Sequence, residues 1–266
     1  MSNTKKSLWA CFKAVPLDNP VKTMFITIVI CFIASLAVTF FALELRPIQN
    51  LNKLNEKRIN ILQVSGLYEE GKTIDEMFER VEARVVDLRS GRFTTDVDVN
   101  YDDVKALKSP ELSMALSKKQ DIASIRRQSY YKVVYLIKDT EGKISKVVLP
   151  IHGYGLWSTL YGFMAVSTDG NTIKSLKFYA HGETPGLGGE VDNPAWLVKW
   201  PNKKIKDMNG NVAISVVKGG ASGDYQVDAL SGATLTSAGV QNLVQFWSGK
   251  NGFAPFLTFV ANGGLK

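Results

Sequence analysis

Cysteine and histidine, from which proteins most often build metal centres, are scarce in this chain. Only Cys11, Cys31, His152 and His181 occur among 266 residues. Two separated cysteines do not make a disulfide framework, and we interpret both as inert thiols. The four residues together also argue against a self-contained zinc or haem site.

Motifs that recognise nucleic acids are also missing, although the chain is basic with a formal net charge of +7. Lysine and arginine are dispersed along the sequence instead of forming a patch or stripe. We therefore predict no nucleic-acid partner. The hydrophobic content of 45% is that of a folded protein, which excludes the disordered and fibrous classes.

Charge is absent from residues 24–43, an apolar run of sequence MFITIVICFIASLAVTFFAL. A helix of this length, at about 1.5 Å per residue, crosses a hydrocarbon core of about 30 Å. The run is longer than the apolar region of a cleaved signal peptide, about 7–15 residues, and no small-residue cleavage site closes it. It is therefore predicted to be a transmembrane helix in contact with membrane lipid.

Positive charge before the run predicts its orientation. Residues 1–23 contain one acidic residue, Asp18, and four lysines: Lys5, Lys6, Lys13 and Lys22. By the positive-inside rule residues 1–23 are cytoplasmic, and the rest of the chain lies on the other side of the membrane. Basic residues after the run oppose this rule, but long domains cross the membrane largely regardless of charge.

The region from 44 to 130 is predicted to be a juxtamembrane helical and accessory region. Apolar residues recur at helical spacing between 48 and 62, which predicts a connecting helix. Thr73 and Glu76 form a capping box, because the hydroxyl and the carboxylate can each satisfy an orphan amide. A second helix is predicted over residues 73–88.

Strands dominate the region that follows. Residues 131–138 and 143–149 are β-branched and aromatic runs separated by DTEG, and residues 161–166 and 173–179 repeat the pattern across STDGN. The predicted fold class is α+β, with one N-terminal transmembrane helix followed by an external domain in which an antiparallel sheet is flanked by helices.

The sequence DALSGATLTS, from Asp228 to Ser237, precedes apolar residues at the spacing of an amphipathic helix. A turn rich in serine, glycine and threonine thus opens onto a helix N-terminus. Unpaired amides and the helix dipole stabilise an anion there, so the pattern predicts a phosphate seat around Thr234. The alternative is that Thr236 or Ser237 simply caps the helix.

This motif resembles the flavinylation motif of the C subunits of sodium-translocating NADH:quinone reductases and of the G subunits of the related Rnf complexes. HGETPGLG at 181–188 and GFAPFL at 252–257 extend the resemblance. It implies a flavin mononucleotide (FMN) joined through its phosphate to the Thr234 oxygen, in an FMN-binding domain at 131–266. A separate flavin transferase would present FAD, and the threonine hydroxyl would displace AMP.

The resemblance implies three groups of cofactor-binding residues besides Thr234. Around the motif they are Asp228, Ser231, Gly232, Ala233, Leu235 and Thr236. In the glycine-rich loop, which would pack on the isoalloxazine, they are Glu183, Thr184, Pro185, Gly186, Leu187 and Gly188. An apolar wall would come from Tyr154, Leu156 and Trp157.

Each assignment has a simpler alternative. The loop at 181–188 is also typical of a turn between strands, with Glu183 a solvated carboxylate. Trp157 is as typical of a core residue. Lys218 either compensates the phosphate charge or is a solvated lysine at a strand end.

The resemblance implies a subunit of an inner-membrane complex that oxidises NADH, reduces ubiquinone and pumps sodium. The NADH and sodium sites would lie on other subunits, since the chain lacks a dinucleotide-binding fingerprint and its span lacks ionisable residues. The alternatives are an Rnf-type subunit between ferredoxin and NAD, a membrane-tethered flavin redox sensor, and a structural anchor without flavin.

Overall fold

The computed structural model describes residue 16 and residues 19–265. The predictions about Cys11, Asp18 and the first three lysines fall outside this part. Two compact units are present, residues 1–56 and residues 57–266. The prediction of four segments, with boundaries after residues 23, 43 and 130, stays a prediction beside this division.

Helix α1 (Pro20–Ser65) is a single 46-residue helix that contains both the predicted span and the predicted connecting helix. Within the described residues, it is the one helix whose length and apolar composition suffice to cross a membrane. Most large apolar side chains of its first half, such as Phe32, are more than half exposed. Such exposure is costly in water and is expected of a surface that faces lipid.

The second unit is built on a six-stranded antiparallel sheet of order β2-β1-β5-β6-β7-β8. Its strands are β1 (Val81–Asp87), β2 (Arg92–Phe93), β5 (Tyr131–Lys138), β6 (Ile144–Tyr154), β7 (Thr159–Ser167) and β8 (Ile173–Ala180). Two short pairs lie outside it: β3 (Ser113–Ala115) with β4 (Arg127–Ser129), and β9 (Ser215–Val217) with β10 (Gln226–Asp228).

Helices complete the unit: α2 (Ile74–Phe78), α3 (Asp103–Ala106), α4 (Pro194–Leu197), α5 (Thr234–Ser248) and α6 (Ala254–Ala261), with a 3₁₀ turn at Gly188–Asp192. The predicted α+β class and the two predicted hairpins are confirmed. β-branched and aromatic side chains fill both faces of these strands, which explains why their sequence is almost continuously apolar.

Two apolar clusters lie in this unit. The larger one contains the buried side of α5, including Val240, Leu243 and Trp247, with side chains of β6 to β8. The smaller one joins Ile61 and Val64 of α1 to the rings of Tyr135 and Phe163. The amphipathic helix expected after the motif is therefore confirmed, and it is anchored along its length.

The helix predicted over residues 73–88 is correct only in its first third. The capping box forms, because the Thr73 amide donates to Glu76 Oε2 at 2.9 Å, but α2 ends at Phe78. Val85 and Val86 lie instead in β1, which pairs with β5. Their β-branched side chains are buried in the sheet, and tertiary packing overrides the helical spacing.

A buried lysine beside the larger cluster is paired with a partly exposed carboxylate. The Lys132 side chain is 4% exposed and bonds to the Asp103 carboxylate. His152 lies next to this pair, its ring stacked on that of Tyr161 with centroids 5.7 Å apart. Burial, with the Lys132 charge in addition, lowers the pKa of His152 to about 3.

This lowered pKa makes the stability of the second unit sensitive to mild acid. Below the unfolded histidine pKa of about 6.5 the unfolded chain binds a proton at this position and the folded chain does not. The stability that comes from keeping His152 uncharged is therefore fully present above that pH. It is lost progressively as the pH falls from about 6.5 towards 3. We expect His152 to lower the free energy of unfolding by about 1 kcal/mol between pH 7.5 and 5.5.

Urea unfolding of the native chain and of His152→Gln at both pH values measures this effect. The native chain should lose more stability than the variant over the interval. An equal loss in both would mean that His152 titrates normally in the folded protein.

Candidate functional site

The N-terminus of α5 carries no side-chain cap. Its N-cap residue is Ala233, and the first helical bond runs from the Ser237 amide to the Ala233 carbonyl at 2.9 Å. The amides of Thr234, Leu235 and Thr236 donate to no acceptor in the described part of the chain. They form an anion seat, since unpaired amides and the helix dipole both favour negative charge.

The alternative in which Thr236 or Ser237 caps this helix is wrong. The helix begins before them, and both hydroxyls are buried and have other partners. Thr236 Oγ1 donates to Glu183 Oε2 at 2.7 Å, and Ser237 Oγ accepts from the Leu230 amide at 3.0 Å. Thr234, by contrast, is exposed, so its hydroxyl is accessible to a reagent.

A pocket of about 370 Å³ opens beside Thr234. Lys218 and Gly219 line it together with residues of the turn before α5. The structure thus brings the predicted Lys218 to the pocket that contains Thr234. The residues of the motif that line the pocket are Ala229, Leu230, Ser231, Gly232, Thr234 and Ser237.

The Glu183 carboxylate connects the loop at 181–188 to two other segments. Its Oε1 accepts from the amides of Leu156, Trp157 and Ser158 at 3.1, 2.9 and 3.2 Å. Its Oε2 accepts from Thr236 in the first turn of α5. With 5% exposure, Glu183 is not the solvated carboxylate of the simpler alternative but a buried group that fixes three segments.

The protonation of Glu183 follows from these contacts. Burial raises the pKa of the carboxyl, but the hydrogen bonds from Thr236 and from the three amides outweigh burial. The net pKa lies below the ordinary value, so the group is ionised at neutral pH.

Two glycines allow the close approach around this carboxylate. A Cβ on Gly188 would lie 2.5 Å from Thr236 Oγ1 and 2.8 Å from Glu183 Oε2. A Cβ on Gly155 would lie 2.6 Å from Glu183 Oε1. Any side chain at these positions would displace the carboxylate, which explains the requirement for glycine.

Apolar side chains stand exposed around the same centre. Leu156 and Trp157 carry amides that bond to Glu183, while Leu187 and Leu235 are chain neighbours of Gly188 and Thr236. Their exposed fractions are 39%, 66%, 46% and 62%. The core alternative for Trp157 is therefore wrong, and the four residues form what we call the apolar rim.

Other predicted residues lie close by with different contacts. Tyr154 is 45% exposed and donates to the Trp157 carbonyl at 3.2 Å. Thr184, Pro185 and Gly186 are exposed on the outside of the loop. Ala233 is buried at the N-cap.

Asp228 faces away from the seat. Its carboxylate accepts from the Ala221 amide at 2.9 Å and from Lys199 at 3.1 Å, and these bonds hold its pKa below the usual range, the amide contributing most. Its carbonyl accepts from the Trp196 indole. Asp228 therefore holds the turn before α5 instead of contacting the pocket.

Sequence reasoning missed several of these contributions. Gly155, Ser158 and Gly219 were not among the predicted residues, yet Ser158 supplies an amide to Glu183 and its Oγ accepts from the Gly182 amide at 2.6 Å. Gly219 follows Lys218 into the pocket. Gly219 was the one position with a visible signal, since it stands in the same glycine-containing turn as Lys218.

An accessible hydroxyl at an uncapped helix N-terminus, a glycine-lined pocket and an apolar rim are features that a domain binding a flavin nucleotide needs. In agreement, the family described as FMN-binding domain matches residues 155–248, which include the loop at 181–188 and the whole of α5.

Comparisons over the full length define the family. The C subunit of the Na(+)-translocating NADH-quinone reductase of Pseudomonas aeruginosa is 46% identical over 256 residues, which cover 92% of this chain and 98% of that protein. The corresponding protein of Vibrio alginolyticus is 45% identical over 252 residues, covering 94% and 98%. The chain belongs to the family formed by the C subunits of the Na(+)-translocating NADH-quinone reductases, which are oxidoreductase complexes.

A solved structure agrees with this membership. The crystal structure of Shewanella oneidensis NqrC has a TM-score of 0.74 and 37% identity, and the match covers 80% of this chain and 99% of that one. The C subunit from Parabacteroides distasonis matches with a TM-score of 0.62 and 28% identity, covering 81% and 96%.

The central position of Glu183 predicts a large effect of removing it. Glu183→Ala leaves three amides and one hydroxyl without their acceptor, and we expect the free energy of unfolding to fall by about 3 kcal/mol. Glu183→Gln keeps an acceptor oxygen and should lose less. Urea unfolding of the cofactor-free chain measures both.

Glu111→Ala, which removes an exposed carboxylate, is the matched control and should unfold like the native chain. If Glu183→Ala were as stable as this control, the carboxylate would not hold the three segments together.

Proposed function

We propose that this chain carries one FMN, bound through a phosphoester to Thr234, as an electron-transfer subunit of a sodium-pumping NADH:ubiquinone reductase. The observation that carries the proposal is the exposed Thr234 hydroxyl at an uncapped helix N-terminus, beside a pocket. When bound, FMN supplies the capacity to accept electrons and to pass them on.

The residues present fit a phosphate. The unpaired amides at the start of α5 donate to its oxygens, and Lys218 adds a positive charge at the border of the pocket. Gly232 and Gly219 line the pocket without side chains, which leaves room for the phosphate beside the Thr234 oxygen.

The apolar rim fits a flat, partly apolar ring. Its four side chains come from three segments that meet at Glu183, and Tyr154 lies beside them. They are Leu156, Trp157, Leu187 and Leu235. In this proposal Thr184, Pro185 and Gly186 contact the ring from the exposed side of the loop. Glu183, Asp228, Ala233 and Thr236 act by positioning backbone, and Ser231 and Gly188 complete the binding surface.

The Thr234 hydroxyl accepts the cofactor in a reaction catalysed by a separate flavin transferase. Its oxygen attacks the pyrophosphate of FAD, a new O–P bond forms, the P–O–P bridge breaks, AMP leaves and the hydroxyl proton is released. Thr236 and Ser237 do not compete because both are buried and hydrogen-bonded.

The chain works within a multi-subunit membrane complex. Its relatives are subunits of reductases named for NADH, quinone and sodium. The similarity extends over almost the whole length of these relatives. Because the chain has no dinucleotide-binding fingerprint and its span has no ionisable residue, NADH and sodium are handled by the other subunits. This full-length similarity favours the sodium-pumping reductase over the Rnf-type subunit and over a lone flavin sensor.

Changing Thr234 tests the cofactor site directly. In cells that express a flavin transferase, the native chain should gain the mass of FMN minus water and fluoresce on a denaturing gel. Thr234→Ala should show neither signal, because the accepting oxygen is gone.

Thr258→Ala, at another exposed helical threonine, is the matched control and should retain both signals. An unmodified native chain, or a flavin-loaded Thr234→Ala, would contradict the proposed linkage.

We also propose that the second unit lies in the periplasm, with α1 anchored in the inner membrane and the N-terminus in the cytoplasm. The lysines before the span support this orientation. A C-terminal alkaline phosphatase fusion should then be active and a C-terminal green fluorescent protein fusion dark. The reverse pattern would place the flavin unit in the cytoplasm.

A further inference from the structure

A second cavity, of about 210 Å³, lies within residues 57–266 and is lined by none of the proposed flavin contacts. Trp247 lines it, 13 residues after Thr234 in the same helix, which separates the two positions by about 20 Å along the axis. By volume the cavity has room for roughly seven water molecules or for one six-membered ring with small substituents.

Positive charge predominates in this cavity. Lys57, Arg127 and Lys132 line it against one carboxylate, that of Asp103. Asp103 is already paired with Lys132. Lys57 is exposed, and its ammonium lies 5.6 Å from the centroid of the Tyr135 ring. An anion in the cavity would therefore gain from the charges of Lys57 and of Arg127, whose guanidinium also donates to Ser113, without competing for the Lys132–Asp103 pair.

The walls of the cavity are aromatic. His152 stacks on Tyr161, and its ring is 5.1 Å from that of Trp247. Phe163 and Tyr179 also line the cavity, with their rings 5.1 Å apart. His152 is uncharged at neutral pH, as its lowered pKa requires. Flat walls of this kind favour a planar guest that stacks or packs edge to face.

An unused acceptor lies in the same wall. Gln128 lines the cavity, is 4% exposed, and its amide nitrogen bonds to the Asn251 carbonyl. Gln128 Oε1 is buried without a partner among the described residues. A buried acceptor left unpaired is costly, and a donor on a bound molecule removes that cost.

We propose that this cavity binds a small planar organic anion, a single ring that bears a carboxylate and a hydroxyl. The carboxylate lies towards Lys57 and Arg127, the ring between the aromatic walls, and the hydroxyl donates to Gln128 Oε1. The site is independent of the flavin, so it is testable on the cofactor-free chain.

The probe is 4-hydroxybenzoate, titrated into the detergent-solubilised full chain and followed by saturation-transfer NMR and calorimetry. Two analogues separate the contributions: 4-hydroxybenzyl alcohol lacks the charge, and benzoate lacks the hydroxyl. We expect saturable binding of 4-hydroxybenzoate, with each analogue weaker by about threefold or more.

Two variants at the rim of the cavity leave the folded core intact. Lys57→Gln should weaken 4-hydroxybenzoate about threefold or more, and Val104→Trp, at a residue that is 60% exposed, should block the cavity and abolish binding. Lys119→Gln removes an exposed lysine outside the cavity and should bind like the native chain.

Three results would overturn the proposal. They are the absence of saturable binding, equal affinity for 4-hydroxybenzoate and its uncharged alcohol, and binding that Val104→Trp leaves unchanged. The first would mean that the cavity holds water only.

Discussion

The site depends on the hydrogen bonds that the buried carboxylate of Glu183 accepts. Three amides from the turn after β6 and one hydroxyl from α5 converge on its two oxygens. These segments are separated by 25 to 53 residues of chain from the glutamate. The site is therefore a product of tertiary structure, and its glycines matter because they let backbone come within contact of one carboxylate.

This arrangement frees the first turn of α5 for another partner. In most helices a serine, threonine or aspartate at the N-cap satisfies the first amides. Here Ala233 occupies the N-cap, Thr236 is bound to Glu183, and Ser237 is bound to Leu230. The first turn of α5 then keeps unpaired amides next to the exposed Thr234 hydroxyl, which lines the pocket, as a phosphate linked to that hydroxyl would require.

Local sequence patterns predicted the parts of the fold that depend on near neighbours. The apolar run, both hairpins and the amphipathic helix each show a characteristic spacing of apolar residues within one short segment. The predicted helix over 73–88 failed in its second half, because Val85 and Val86 are buried by pairing with β5, about fifty residues later in the chain.

The same distinction applies to the site. The motif around Thr234 was readable because a helix N-terminus is a local feature, whereas the role of Glu183 was not, since its partners are distant in sequence. The pairing of buried Lys132 with Asp103 and the unpaired Gln128 oxygen likewise had no local signal.

The most direct test of the account is the ³¹P NMR spectrum of the flavin-loaded, denatured chain between pH 5 and 8. A phosphate esterified both to the flavin and to Thr234 has no proton to lose in this range, so its chemical shift should stay constant. A phosphate monoester titrates with a pKa of about 6, and a shift that moves with pH would contradict the covalent linkage.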